Sequence, residues 1–518
     1  MKPRRAPRPE AARAVPKAPT GIQGLDEITG GGLPSGRPTL VCGGPGCGKT
    51  ILAMAFLMNG ARRYGEPGVF MSFEESIEDL TQNFASLGFD PRPLATRKKL
   101  ALDYVRVEPN EIQETGAYDL DALFIRLEHA IDSIGAKRVV LDTIETLFSG
   151  LSQTRLLRAE LRRLFNWLKS KGVTAIVTGE RGNSGMTRHG LEEYISDCVI
   201  LMDHRVVEQN ATRRLRVVKY RGSTHGDNES PFFIDQSGLS VLPIASLGLQ
   251  HRVPTGRLSS GLSGLDEMLG GKGYFRGSSI LVSGSAGTGK TSLAGYFVDA
   301  ACRRGESALY FAFEESSAQI VRNLRSIGLD LGRWVRKGLL RIHAARPTTS
   351  GLEGHLSSMH RLIDESRPRV VVVDPISNLI SVGTSIEVKA MLARLIDFMK
   401  VGQMTALFTS LTLDAGHPEG TDIGISSFMD TWIALRNIEV NGERNRTLDV
   451  LKSRGMPHSN QLREFVLTSR GLELLDAVRD GRGRVLMGSR RGAHGARTTA
   501  EKRKNGTRTR KAAGGRSR

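Results

Sequence analysis

Ordered landmarks recur along this 518-residue chain at a nearly constant separation. The stretch "VCGGPGCGKT" at 41–50 returns as "VSGSAGTGKT" at 282–291, so that Lys49 is matched by Lys290, 241 residues on. "GIQGLDEITGGGLPSG" at 21–36 returns as "GLSGLDEMLGGKGYFRG" at 261–277, and "FEES" at 73–76 returns at 313–316. Later, "RVVLD" ending at Asp142 is matched by "RVVVVD" ending at Asp374, and "KYRGSTH" at 219–225 by "KSRGMPH" at 452–458, at offsets of 232 and 233. Solenoid repeats have periods of ~20 to 50 residues. A period this long therefore means one whole domain used twice, which also suits a prior of about 150 residues or more per domain. The join is expected in "PIASLGLQHRVPTGRL" at 243–258, which carries two prolines.

Each repeat reads as an α/β unit. "PTLVCG" and "SSILVSG" are short apolar runs that end in Gly-rich loops, and "KTILAMAFLMNGARRYG" and "KTSLAGYFVDAACRRG" then have helical length with basic residues and Gly at their ends. "PGVFMSF" and "SALYFAF" read as second strands, "AKRVVLD" and "PRVVVVD" as third, "VTAIVTG" and "MTALFTS" as fourth. Strands alternating with helices predict a mainly parallel, twisted sheet covered on both faces, with ligands and the chemical landmarks at the carboxyl ends of the strands.

Both Gly-rich loops fit G-x-x-x-x-G-K-[ST], a phosphate cradle made of backbone N–H groups. Gly43, Gly44, Gly46 and Gly48 with Lys49 and Thr50, and Gly284, Gly287 and Gly289 with Lys290 and Thr291, are the expected contacts to a nucleotide's phosphates. Lys reaches the outer phosphates and the Thr hydroxyl holds Mg²⁺. Asp142 and Asp374 end apolar strands, where a carboxylate can hold Mg²⁺ directly or through water. Glu74 with Glu75, and Glu314 with Glu315, follow the neighbouring strand and are candidate bases for an attacking water or hydroxyl.

The net charge of +19 is concentrated at the ends. Residues 482–518 carry +12 and residues 1–18 carry +5, leaving +2 for the middle. Both ends are poor in large apolar groups and read as disordered basic tails. They could grip nucleic acid electrostatically, but residues 482–518 hold no aromatic for base stacking, so nucleic acid is not the favoured partner. The four cysteines, Cys42, Cys47, Cys198 and Cys302, lack metal or disulfide spacing, and no apolar run approaches the ~20 residues of a membrane span. A cytoplasmic protein without a membrane segment is expected.

The paired phosphate loops, the two "FEES" and "GLDE" segments and the "KYRG" and "KSRG" strands together resemble the KaiC family over about residues 18–480. The resemblance implies two tandem RecA-like domains of the P-loop NTPase class, six chains in a double ring, and ATP between neighbouring subunits. It implies an ATPase in the first domain (18–245) and an autokinase and autophosphatase in the second (259–480), joined by a linker (246–258) and flanked by tails at 1–17 and 481–518. Glu74 and Glu75, and Glu314 and Glu315, then fall on catalytic pairs. Lys219 and Arg221, with Lys452 and Arg454, fall on basic residues that reach a neighbour's γ-phosphate. Ser426 and Ser427 fall on phosphoacceptors, with Ser427 in place of the family's Thr, while in the first domain Asp197 is read as standing where the second hydroxyl would be. KaiB-like or signalling proteins are the implied partners. A DNA-stimulated motor and an ATP-assembled scaffold without catalysis are the alternatives.

Overall fold

The structure is a computed structural model that describes residues 15–106, 120–147, 154–182, 195–207, 210–235, 238–243, 253–412, 424–440, 443–468, 471–476, 478–479, 485–486 and 488. The chain divides into two compact units, Met1–Ser246 and Leu247–Arg518. Each is a RecA-like domain built on a nine-stranded sheet.

In the first domain the strands are β1 (Pro38–Gly43), β2 (Gly68–Ser72), β3 (Leu100–Tyr104), β4 (Arg138–Asp142), β5 (Thr174–Glu180), β6 (Cys198–Val207), β7 (Asn210–Tyr220), β8 (Ser230–Asp235) and β9 (Gly238–Val241). Their order across the sheet is β9-β8-β7-β6-β1-β5-β4-β2-β3. The six from β6 to β3 run parallel, and β7, β8 and β9 extend the sheet antiparallel. Alternation along a strand sends its side chains to two separate cores. Val140 of β4 packs with Val41, Phe70 and the helix residues Leu52 and Phe56, whereas Val139 and Leu141 pack with Leu127, Leu161 and Phe165 on the other face. This is why the parallel strands read as continuous apolar runs rather than as an alternating pattern.

The second domain repeats the plan with β10 (Ser279–Gly284), β11 (Ala308–Ala312), β12 (Leu340–Ala344), β13 (Val370–Asp374), β14 (Thr405–Leu411), β15 (Thr431–Val440), β16 (Glu443–Ser453), β17 (Arg463–Thr468) and β18 (Gly471–Leu475). The order β12-β11-β13-β14-β10-β15-β16-β17-β18 is the same one. Its acidic segments are placed by helix caps. Ser76 and Ser316, the last residues of the two "FEES" stretches, accept the N–H of Asp79 and Gln319 and start the helices Ile77–Ser86 and Ser317–Ser326. Glu74–Glu75 and Glu314–Glu315 are thereby confined to the short turn between strand end and cap.

The tail boundaries move outward, toward the chain ends. Lys17, counted with the N-terminal tail, pairs with Pro34 in a two-stranded ribbon, and its ammonium donates to the Gly30 carbonyl at 2.9 Å. Val485 and Leu486, counted with the C-terminal tail, pair with Arg479 and Val478, and the Gly488 N–H donates to Glu464. Arg257 and Leu258, counted with the linker, pair with Phe275 and Tyr274. Residues 1–14 and 489–518 lie outside the described residues.

His360 in the second domain stacks on Phe398 with ring centroids 3.9 Å apart, and burial pushes its pKa down to about 4. The folded chain therefore stays neutral there while the unfolded chain protonates near pH 6.5. Stability should be full above about pH 6.5 and fall by up to about 3 kcal/mol as pH drops toward 4, at about 1.4 kcal/mol per unit. Denaturant titrations across this range, with His360→Phe showing a flatter profile, check the expectation.

Candidate nucleotide and phosphoacceptor sites

The two phosphate loops depend on backbone shapes that only glycine takes easily. Gly46 and Gly48 have φ of 69° and 104°, and Gly287 and Gly289 have 75° and 102°. A Cβ on Gly48 would lie 2.7 Å from the Ile234 side chain, and one on Gly289 would lie 2.6 Å from the Phe465 ring. Gly43 and Gly284 are constrained differently, since a Cβ there would lie 2.4 and 2.5 Å from the carbonyls of Met202 and Leu435. Beside Gly44, Gly46 and Gly287 the space is open. The loops are thus closed on the sheet side and open toward solvent, where the first N–H groups of the helices Lys49–Asn59 and Lys290–Arg303 can take phosphate oxygens. Replacing Gly289 by Ala should cost about 1–3 kcal/mol in strain. Carried into the nucleotide-bound loop, that corresponds to second-site ATP affinity weaker by about 5- to 150-fold, readable by nucleotide titration with the first site unchanged.

Lys49 donates to the carbonyls of Gly43 at 2.9 Å and Gly44 at 3.1 Å, and Lys290 to those of Gly284 and Ser285, both at 2.8 Å. Each ammonium is thereby held over its own loop. Burial lowers the pKa of Lys290, opposed by Asp374 and Glu314 nearby. Asp142 accepts a hydrogen bond from Thr178, and burial pushes its carboxyl pKa up. Asp374 accepts from Thr409 and, at 2.5 Å, from the Tyr310 hydroxyl. A carboxylate beside a loop Thr is an oxygen donor set that suits Mg²⁺. Among the described residues no group of three or more His, Cys, Asp or Glu could hold a metal. An ion here would therefore need nucleotide phosphates and water to complete its shell.

Lys290, Thr291, Glu314, Glu315 and Asp374 line one cavity of about 310 Å³ at the carboxyl end of the second sheet. In the first domain Glu74 accepts from the Thr143 hydroxyl at 3.0 Å. The matching residue in the second domain is Pro375, which has no hydroxyl to offer Glu314. Glu75 and Glu315 accept from Asn83 at 3.4 Å and Asn323 at 3.1 Å.

The remaining landmarks lie elsewhere, which corrects the expectation that all of them share the carboxyl ends. Lys219 pairs with Val199 and Lys452 with Trp432, so both stand at the amino ends of β6 and β15. The cause is the antiparallel return of β7 and β16, which carries the K-x-R-G segments back across the sheet. Ser426 and Ser427 lie at the same end in a short 3-10 turn (Ile425–Ser427) before β15. The Ser426 carbonyl accepts from Lys452 at 3.1 Å, and that of Ser427 accepts from Arg454 at 2.7 Å. Thr431 is level with Ile280, and the phosphate loop begins four residues on at Gly284. At about 3.3 Å per residue, at least ~13 Å of strand separates the serines from their own domain's loop.

Asp197 is also reassigned. It stands directly before β6, ion-paired to Lys169 at 2.5 Å with Arg37 and Arg221 at 3.8 Å, and its carbonyl accepts the Arg221 N–H. Asp430 stands directly before β15, paired to Lys400 at 3.0 Å with Arg454 at 3.9 Å, and accepts the Arg454 N–H. Asp197 is therefore the counterpart of Asp430 and not of Ser427. Counting back from the strand gives Glu193 and Tyr194 as the positions matching Ser426 and Ser427, and they lie outside the described residues. Sequence reasoning also missed Thr143, Thr178, Thr409 and Tyr310. The two Thr at matching places in "TAIVTG" and "TALFTS" were a usable signal, whereas Tyr310 has Phe70 as its counterpart and no echo in the repeat.

Comparison with known proteins agrees with this duplicated geometry. A family model described as ATPase, KaiC matches residues 18–246 and again 258–479. The circadian clock protein KaiC2 of Synechocystis sp. is 57% identical over 477 residues, covering 92% of this chain and 84% of that protein. The circadian clock oscillator proteins KaiC of Parathermosynechococcus lividus and Thermostichus vulcanus are each 38% identical, over 92% of this chain and 88% and 92% of theirs. The chain belongs to the KaiC family, and it carries that family's ATPase domain twice.

Proposed function

We propose that the first domain hydrolyses ATP and that the second transfers the γ-phosphoryl group of ATP to Ser426 and Ser427 of a neighbouring copy of this chain. The observation that carries the reading is the placement of the two serines at the end of their sheet opposite the phosphate loop. A serine that cannot reach its own domain's nucleotide can be served by the cavity of an adjacent subunit, as in a ring of six chains. Lys452 and Arg454 travel with the serines and would bring cationic charge to the neighbour's γ-phosphate, where positioning and charge neutralisation carry most of the catalysis. In the first domain Lys219 and Arg221 have the same position for hydrolysis.

In the transfer, Glu314 accepts the serine hydroxyl proton while the oxygen attacks the γ-phosphorus and the bond to ADP breaks. Lys290 and the loop N–H groups hold the β- and γ-oxygens. Thr291 and Asp374 would hold Mg²⁺ in the second domain, and Thr50 and Asp142 in the first, where the ion when bound would supply further charge neutralisation. Glu74 with Glu75 orients water there, and the Thr143 hydroxyl on Glu74 supports a fixed water-directing role. A phosphoserine adds about −1.5 to −2 charge, enough to remodel a subunit surface and alter the binding of a KaiB-like or signalling partner. No described helix is long and apolar enough to cross a membrane, which suits action in the cytoplasm.

Mass spectrometry of the full-length protein after incubation with Mg²⁺ and ATP tests the reading. Phosphate on Ser426 or Ser427, reduced in Ser426→Ala and Ser427→Ala, is the expected result. An unmodified protein that still hydrolyses ATP would overturn the kinase assignment, and stimulation of that hydrolysis by DNA would favour a motor instead.

A further inference from the structure

The two domains differ beneath their strand-end aspartates. Tyr310 on β11 is level with Val372 of β13, and Phe70 on β2 is level with Val140 of β4, so the two residues occupy one structural position. Tyr310 is fully buried, and its hydroxyl reaches up the sheet to Asp374 Oδ2 at 2.5 Å while Thr409 donates to Oδ1. Both oxygens of Asp374 are thus held by hydroxyls that belong neither to the phosphate loop nor to any ligand. In the first domain Phe70 has no hydroxyl, so Thr178 donates to Oδ1 of Asp142 with no tyrosine hydroxyl to match it on Oδ2. Asp374 has a donor on each oxygen, so its orientation is set from below.

We propose that Tyr310 is a positioning residue that presets the Asp374 carboxylate for the divalent ion of the second site, giving the two sites of one chain different metal affinities. The inference rests on the assignment of Asp374 and Thr291 as the residues that hold the ion. Its basis is orientation: a carboxylate with a donor on each oxygen cannot rotate freely, and loss of such an outer partner typically weakens metal binding by about 10- to 100-fold. The repeat itself does not require the residue, since the first domain folds around Phe70 at the same place.

The test uses full-length protein saturated with ADP and titrated with Mn²⁺, with free Mn²⁺ followed by electron paramagnetic resonance. The wild type should show two ions per chain of unequal affinity, and Asp374→Asn identifies the second-domain class by removing it. Tyr310→Phe should weaken that class about tenfold and leave the other unchanged, with metal-free ADP affinity preserved. Unchanged Mn²⁺ affinity in a folded Tyr310→Phe protein would show that Tyr310 only fills the core and overturn the proposal. Should that variant fail to fold, Phe70→Tyr decides, because the added hydroxyl is expected to tighten the first-domain class and no change overturns the proposal equally. A wild type in which Asp374→Asn removes no Mn²⁺ class would instead overturn the metal assignment itself.

Discussion

Replacing Glu314 by Gln should lower phosphate incorporation into Ser426 and Ser427 by about 10²- to 10⁴-fold, the usual contribution of a positioned general base. Glutamine keeps the size and hydrogen-bonding reach of the side chain but cannot accept the serine proton. ATP binding by the second domain should persist, because Lys290, Thr291 and the loop glycines line the cavity independently of that carboxylate. Glu74→Gln is expected to act on the other half of the chemistry. It should reduce ATP turnover in the first domain while leaving serine phosphorylation intact, since Glu74 and its Thr143 partner lie in the other domain, just beyond the strand ends of its own sheet. Quantitative mass spectrometry and phosphate release, measured on both variants, separate the two activities. Equal loss of both in either variant would contradict the division of labour.

The second large effect concerns Lys452 and Arg454. Their joint replacement by Ala should depress second-domain turnover by about 10³-fold or more, the scale on which a cation supplied in trans acts on phosphoryl transfer. A chain with this change still has an intact phosphate loop, and a chain with Lys290→Ala still has intact cations. Mixed assemblies of the two should therefore recover part of the activity that neither has alone, because some subunit borders pair a good loop with good cations. Absence of recovery in mixed assemblies would place these residues in a purely structural role, consistent with their bonds to the Ser426 and Ser427 carbonyls. Burial and the neighbouring Arg454 also lower the pKa of Lys452, so part of its charge effect should fade at high pH sooner than that of an exposed lysine.

Much of the site was legible because it is local. A strand, a loop with glycines at fixed offsets and a following helix are adjacent in the chain, and backbone sterics at Gly48 and Gly289 alone dictate the turn. The same holds for the acidic turns, where Ser76 and Ser316 cap the next helix within three residues of the glutamates. Alternation of apolar runs with helical segments likewise led to the parallel sheet, since strands covered on both faces have little choice of residue.

Other features had no local signature. The placement of Lys219 and Lys452 at the far end of the sheet follows from the antiparallel return of the strands that carry them, which spacing along the chain does not reveal. The matching of Asp197 with Asp430 needed strand register and shared ion-pair partners, because the two domains differ in length between their landmarks. The sequence by itself determined that one nucleotide-binding unit is used twice, with its loops and acidic turns, because each is built from neighbouring residues under local steric rules. Only the tertiary structure decided which end of the sheet presents Ser426 and Ser427 and that Tyr310 reaches Asp374 from 64 residues away, because both depend on which distant strands lie side by side.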